Sequence, residues 1–370
     1  MNESARVFGW REWPFRIVAD EQFARVWADR SELRLELDRR IRRLKAVPHS
    51  TVQVIWADFG AGKSHTLRRL EAICRDDEDG RLLPVYTDIP VGAIGMIDLY
   101  RRLMGSLQAD LLSAISERAR AVPKRRPTTP GARDLLQALK LLGSEDTGGQ
   151  ALAAEWMQAS PGLPHLKSVK AYGISGRIED DLRVVEVVTE LLSLIRESRA
   201  GSSLVWLIDE FQRVADVPVR KREAFAKSIV SLFNSCPVGL HFVLSFSVAQ
   251  QSMALALLPP DLQSRAKTFP MLMMPQMSRE DCFTFSEDLF DAFRIQARAE
   301  RSFPFTAEAL NHVIADLEDD GRGVATPRLL MERLETVLFE VFDTSQGSEM
   351  ILPIEVDTAS SVMARIRSRS

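Results

Sequence analysis

Two apolar rhythms alternate along the chain up to about residue 274, and one of them persists beyond it. Leu33, Leu37, Ile41 and Leu44 recur at helical spacing behind Ser31, whose hydroxyl suits an N-cap, so the pattern predicts an amphipathic helix over 31–45. Its outer face carries Arg39, Arg40, Arg42, Arg43 and Lys45. Pro48 stops this helix, and the run Thr51–Trp56 reads as a buried strand feeding a glycine-rich turn and a second helix. A further strand is expected at Leu82–Thr87, followed by a helix near 97–115 in which Leu99, Leu103, Leu107 and Leu111 fall four apart as core positions.

The rhythm then breaks. The stretches RARAVPKRRPTTPG at 118–131, GSEDTGG at 143–149 and SPGLP at 160–164 are rich in turn formers, and 116–178 reads as an insertion. Helix resumes at about 178–197. The continuous apolar runs Leu204–Ile208 and His241–Ser247 are strands of the kind buried inside parallel sheets. Strands alternating with helices predict an α/β, doubly wound parallel sheet, with the strand at 82–87 on its edge. After Met274 three helices are expected, opened by Ser278 with Asp281 three residues on, by Thr306, and by Thr326–Pro327, where threonine caps and proline takes the first helical position. The resulting organisation is an N-terminal segment and first helix at 1–50, an α/β core at 51–275, a small all-helical lid at 276–342 and a tail at 343–370.

Composition narrows the function classes. Lys and Arg number 48 against 51 Asp and Glu, a formal net charge of −3, so no global basic field points to nucleic acid. Cys74, Cys236 and Cys282 are far apart and form no CxxC pair, which argues against a disulfide framework or a zinc site and for a reducing cytoplasm. The N-terminus lacks an apolar signal core and no stretch approaches 18 uncharged apolar residues, so neither secretion nor membrane spanning is expected. HExxH and GxSxG are both missing, which removes the metalloprotease and serine hydrolase readings.

The candidate chemistry lies at two strand ends. Ala57-Asp58-Phe59-Gly60-Ala61-Gly62-Lys63-Ser64, followed by His65, matches G-x-x-x-x-G-K-[ST] except at its first position, in strand-loop-helix context. Small residues let successive backbone N–H groups curl around phosphates, Lys63 reaches the β and γ phosphates, and the Ser64 hydroxyl faces Mg²⁺. Alanine at 57 suggests a slightly different entry turn. The second element is Leu204–Ile208 followed by Asp209 and Glu210, an apolar strand that delivers two carboxylates to the sheet edge where ligands of open α/β sheets bind. Asp209 suits Mg²⁺ and Glu210 suits polarisation of the water that attacks the γ-phosphate. Ser245 and Ser247, at the end of the strand His241–Ser247, are both candidates for a γ-phosphate sensor, and both equally read as hydroxyls satisfied by backbone.

With these residues in view the chain resembles the AAA+ superfamily of P-loop ATPases, closest to its origin-recognition initiator, transposition-ATPase and phage-defence branches. The resemblance spans about residues 8 to 342 and rests on FGWREWPF, WADRSEL, WADFGAGKSHTLRRL, LVWLIDEFQRV, LPPDLQSRAKTF and GVATPRLLMERL. It implies an arginine, Arg265, that reaches a neighbouring subunit's γ-phosphate, and a second sensor, Arg328, on the last lid helix; each residue also reads as a surface ion pair. The segment 151–188 is similar to the insertion of ATP-binding proteins of BREX-type phage-defence systems. No room remains for the winged helix of origin-recognition initiators, and serine stands where that family has its sensor asparagine.

The resemblance implies ATP and Mg²⁺ as cofactors, homo-oligomerisation, protein partners and double-stranded DNA as the object of action. Arg39 to Lys45, and Arg118, Arg120, Lys124, Arg125 and Arg126, read either as DNA contacts or as solvated charge. The tail arginines Arg365, Arg367 and Arg369 add little. The expected function is an ATP-hydrolysing component acting on DNA in phage defence or a mobile element. The rivals are a nucleotide-dependent protein-interaction switch without DNA contact, and a remodeller of protein substrates.

Overall fold

A computed structural model describes residues 3–16, 23–26, 28, 31–47, 49–77, 79–92, 95–107, 112, 115–117, 127–162, 166–198, 202–319, 325–344 and 351–369. The chain forms two compact units, one of residues 39–57 and 70–273, the other of residues 1–38, 58–69 and 274–370.

The first unit holds a parallel sheet of five strands in the order β2-β3-β4-β1-β5: β1 Thr51–Ala57, β2 Leu82–Asp88, β3 Ser203–Asp209, β4 Leu240–Ser247 and β5 Leu272–Met273. The short β5 lies within the run Thr268–Met274, past which the described residues hold no further strand, and pairs with β1 through Ile55 and Trp56. The edge position expected for β2 is observed. β3 is apolar and buried from Leu204 to Ile208, with strands on both sides of it, and its Trp206 turns its indole N–H to Thr87 Oγ1 at 2.9 Å, which satisfies the one polar atom of that ring. β1 lies between β4 and β5, neither adjacent to it in sequence. Its C-terminal end is therefore a switch point of the kind where open α/β sheets bind ligands.

The insertion is packed rather than appended. Helices Pro130–Leu142, Thr147–Met157 and Leu166–Ala171 share one core with the sheet and with helix Asp181–Ser198, through Leu135, Leu139, Trp156 and Val188 among others. Buried Asp134 fastens it by accepting from Ser175 N (2.8 Å), Ser175 Oγ (2.9 Å), Gly176 N (3.3 Å) and Arg183 (2.8 Å). A buried carboxylate with four donors is satisfied in a way an isolated one is not. The helix expected over 97–115 is described as Met96–Ser106; Leu111 and the basic residues Arg118, Arg120, Lys124, Arg125 and Arg126 lie outside the described residues. All three cysteines are free and buried, and burial beside Asp77 pushes the Cys74 thiol up to about 12, so it carries no thiolate at neutral pH.

The second unit is helical: Arg279–Phe293, Ala307–Asp319, Pro327–Thr344 and Val356–Arg369. Ser278 and Asp281 form a reciprocal capping box (2.7 and 3.1 Å), Thr306 Oγ1 caps Ala309 N, and Thr326 Oγ1 caps Leu329 N. Two features depart from the sequence-based boundaries. The expected tail contains a fourth helix whose Ala359, Val362 and Met363 are buried in this unit's core, with Arg367 paired to Asp316. The N-terminal segment also belongs here: Phe8, Trp10 and Phe15 pack on Phe290, while Trp13 stacks on Phe339 (4.9 Å) and donates to Glu335 (2.7 Å). Aromatic rings bury large apolar areas, so a short segment with four of them docks without long secondary structure. Among the described residues no helix is long and apolar enough to cross a membrane.

Candidate functional site

The phosphate-loop candidate begins as β1 ends. Ala57 is the last strand residue, buried, paired in register with Ser247, and its carbonyl accepts from Val248 N (3.1 Å). Its place inside the strand explains why glycine is not needed there. The backbone freedom is required further on, where Gly60 and Gly62 take φ of +82° and +90°, a region that side chains disfavour. A Cβ on Gly60 would also stand 3.0 Å from Thr326 Oγ1 and 3.4 Å from Arg328 Cβ, so the position excludes other residues twice over.

The side chains of the loop differ in what they do. Lys63 opens helix Lys63–Arg75, is 5% exposed and donates from Nζ to the Asp58 carbonyl at 2.6 Å. Ser64 is half-buried in the first turn, and Asp58 is exposed. His65, expected beside the nucleotide, has its side chain on Phe23 instead: Nε2 donates to the Phe23 carbonyl (3.2 Å) and the ring meets that of Phe23 edge-on. Phe59 is 68% exposed, and the Arg328 guanidinium lies 4.6 Å from its ring centroid, a cation–π distance. Arg328, which the resemblance marks as a second sensor, thus lies over Phe59 of the loop 57–65.

The acids stand at the C-terminal edge of the sheet. Asp209 ends β3 and is 2% exposed. Its Oδ2 accepts from the Tyr86 hydroxyl (2.8 Å), and its Oδ1 accepts from Ser245 Oγ and from Glu210 N (2.9 Å). Glu210 has left-handed backbone (φ 56°, ψ 37°), a strained conformation for a residue with a long side chain. It turns the chain from β3 into the 3₁₀ turn Phe211–Asp216. Phe211 anchors that turn in the core against Phe246 (5.3 Å) and Phe225 (6.2 Å). The Glu210 carboxylate is half-buried and met by Gln212 Nε2 (2.9 Å), Arg213 (3.3 Å) and Ser247 Oγ (3.3 Å). Arg213 also donates to the Ile89 carbonyl (2.8 Å) and faces Asp88 (3.8 Å), to which Arg102 is paired.

This geometry separates the two serines. Ser245 is fully buried and bonded to Asp209, whereas Ser247 is half-buried at the strand end and reaches Glu210. Arg265 is not drawn to the acids. It is exposed on helix Pro260–Ala266, stacked over Phe233 (4.8 Å) and donating to Asn234 (3.1 Å). Of the basic face on the first helix, Arg40 is in fact buried: it donates to Gln53 (3.2 Å) and to the Pro270 carbonyl, while Lys45 pairs with Asp77. Arg39, Arg42 and Arg43 remain on the surface.

Sequence reasoning missed Tyr86, Gln212 and Arg213. Tyr86 came into view only with the pairing of β2 and β3, in which Asp88 is in register with Asp209. Nothing local marked Gln212.

No protein-family model matches the chain, and no curated protein matches it. Solved structures do. The ORC2 protein of Aeropyrum pernix, in its ADPNP–ADP complexes, aligns with TM-score 0.51 at 13% identity over 92% of this chain and 68% of that one. Its ADP form aligns at 0.46 and 14% (98% and 72%), and domain III of the replication initiation protein DnaA of Thermotoga maritima at 0.43 and 11% (92% and 95%). The latter two scores carry no argument on their own, and at such identities a likeness shows the fold alone. The fold in common with the first of these structures is an α/β fold, a five-stranded parallel sheet followed by helices.

Proposed function

We propose that this chain binds and hydrolyses ATP as an oligomerising AAA+ ATPase, acting on double-stranded DNA in phage defence or a mobile genetic element. The observation that carries the ATPase reading is in one parallel sheet: β1 ends at Ala57, the first residue of the motif that runs on in sequence to Lys63 and Ser64, and β3, two places away, ends at Asp209 with Glu210 next. In this reading the N–H groups of residues 58–64 cradle the phosphates and the Lys63 ammonium neutralises their charge. Ser64 and Asp209 are hard oxygen donors suited to Mg²⁺, Asp209 acting through water because both its oxygens already accept bonds. Among the described residues no three His, Cys, Asp or Glu gather as a protein-built metal site, which fits an ion that arrives with the nucleotide. When bound, Mg²⁺ offsets the charge on the phosphate oxygens.

Glu210 accepts the proton of the attacking water, and Ser247 senses the γ-phosphate beside it. Arg328 contacts the nucleotide from the lid, and Arg265 completes the site of a neighbouring subunit. Assembly then follows ATP and is reset by hydrolysis, because those arginines have a γ-phosphate to bind only before it is cleaved. The DNA reading draws on the resemblance to initiator and phage-defence ATPases and on Arg39, Arg42 and Arg43. A second reading, a nucleotide-dependent protein-interaction switch without DNA contact, is favoured by the withdrawal of Arg40 and Lys45 from that face.

The test is ATP turnover with and without double-stranded DNA at two salt concentrations, with Glu210→Gln as the blank. Stimulation that fades with salt supports action on DNA. Turnover indifferent to DNA supports the switch, and no turnover above the blank overturns the ATPase reading.

A further inference from the structure

The Glu210 carboxylate has a partner whose geometry exceeds what a surface turn needs. Gln212, two residues on, uses both ends of its amide: Nε2 donates to Glu210 Oε2 at 2.9 Å, and Oε1 accepts from the backbone N–H of Ser247 at 2.9 Å. The two bonds fix which end of the amide is which, because a carboxylate only accepts and an N–H only donates. The amide therefore spans from the turn after β3 to the end of β4, across 35 residues of sequence. Its own position is set by Phe211, buried against Phe246 of β4. Ser247 Oγ donates to the other oxygen, Glu210 Oε1, at 3.3 Å and closes a ring of Glu210, Gln212 and Ser247.

Glu210 lacks regular backbone to aim it. Its left-handed conformation places it between strand and 3₁₀ turn, and a glutamate has three rotatable side-chain bonds to fix. A base for water activation has to be held within a fraction of an ångström of its working position, and such precision comes from bonded supporting side chains. Arg213 attracts the same carboxylate but divides itself between Glu210, Asp88 and the Ile89 carbonyl, so it supplies charge more than aim.

We propose that Gln212 is a positioning residue that aims Glu210 and ties its orientation to the end of β4, so that Ser247 and Glu210 move as one unit. The proposal rests on the ATPase reading above and adds to it the residue through which the β4 end acts on the base.

The experiment compares Gln212→Ala and Gln212→Met, each alone and combined with Glu210→Gln, for ATP turnover, ATP affinity and melting temperature. Methionine keeps the length of the side chain and makes neither bond, so it serves if the shorter variant fails to fold. The expected result is a kcat lowered about 10- to 100-fold with ATP affinity within about twofold of the parent. In the Glu210→Gln background the same substitution should change the residual rate by less than about twofold, because a residue that acts through Glu210 has nothing left to act on. Full turnover in both Gln212 variants, beside a Glu210→Gln that is inactive, overturns the proposal and leaves the ATPase reading intact. An equal loss with and without Glu210 also overturns it, since a merely structural role adds to any background. If Glu210→Gln hydrolyses ATP like the parent, the reading of the site fails first and the proposal with it.

Discussion

The glycine loop at 57–65 and the acid edge at 209–213 are built on opposite plans. The loop works through its backbone: Gly60 and Gly62 at positive φ, Ala61 small and buried, and Lys63 returned to the Asp58 carbonyl within the same few residues. The acid edge works through side chains brought from three strand ends, with Tyr86 on Asp209, Ser245 on Asp209, and Gln212, Arg213 and Ser247 on Glu210. A backbone cradle needs residue types that keep out of the way, and these show as a contiguous motif. A side-chain network needs partners from far along the chain, so its members bear no common mark in sequence.

That contrast can be broken most directly by two substitutions. Lys63→Ala should weaken ATP binding by at least about 100-fold in a fluorescent-nucleotide titration. Glu210→Gln should bind within about twofold of the parent, lose about a thousandfold in turnover and hold the assembled state in size-exclusion chromatography. Loss of binding in Glu210→Gln would erase the division of labour between the two regions.

The far end of the sheet supplies a control of a different kind. His241, at the start of β4, is fully buried, pairs through Nδ1 with Thr51 Oγ1 (2.9 Å), and leaves Nε2 without a bonded partner. Burial, with His49 adding, lowers its pKa to about 4 from an ordinary 6.5. The unfolded chain binds this proton first, so the contribution of neutral His241 is complete above pH 6.5 and declines as pH falls toward 4, by ~3 kcal/mol in total. Urea denaturation at pH 7, 5.5 and 4 should show this slope, and His241→Gln should flatten it.

Ser245→Ala and Ser247→Ala sharpen the comparison within the acid edge. Removing the buried hydroxyl that bonds Asp209 should cost about 1–3 kcal/mol of stability, read by urea midpoint. Removing the half-buried one should leave the midpoint within about 0.5 kcal/mol and lower turnover about tenfold. The reverse pattern would assign the sensor to Ser245.

Effects no larger than that of Ser247→Ala are expected from the arginines outside the acid network. Arg328→Ala, which loses its place over Phe59, should cut turnover about tenfold. Arg265→Ala should do the same only through assembly. Mixed with Glu210→Gln subunits it should regain activity, because each variant supplies what the other lacks. Failure of this complementation, with a monomeric active parent, would leave Arg265 as the surface contact it makes to Asn234 and Phe233.

Much of the architecture follows from local pattern. The four main strands, the helix starts at Ser278, Thr306 and Thr326, the Gly60–Ser64 loop and the two acids after Ile208 were all legible, because alternation, capping chemistry and backbone permissiveness act over a few residues. Other features became clear only with the fold. The arginine at position 40 sits on the charged side of its helix by periodicity, yet is buried because Gln53 and the Pro270 carbonyl accept its bonds. Phe8 to Phe15 show no regular spacing, and they join the helical unit because Phe290 and Phe339 offer matching aromatic faces. Val356–Arg369 adds one more helix to its unit because its apolar residues reach a core that already exists.

The sequence by itself determined the strand, glycine loop and helix at 51–75 and the acids that follow a buried strand, since each is local chemistry carried by consecutive residues. Tertiary structure alone decided that Gln212 faces both Glu210 and Ser247, and that Ser245 rather than Ser247 is spent on Asp209. Those pairings depend on the register of β3 against β4, with Ile208 opposite Leu244, and register is fixed by the packing of whole strands rather than by any residue within them.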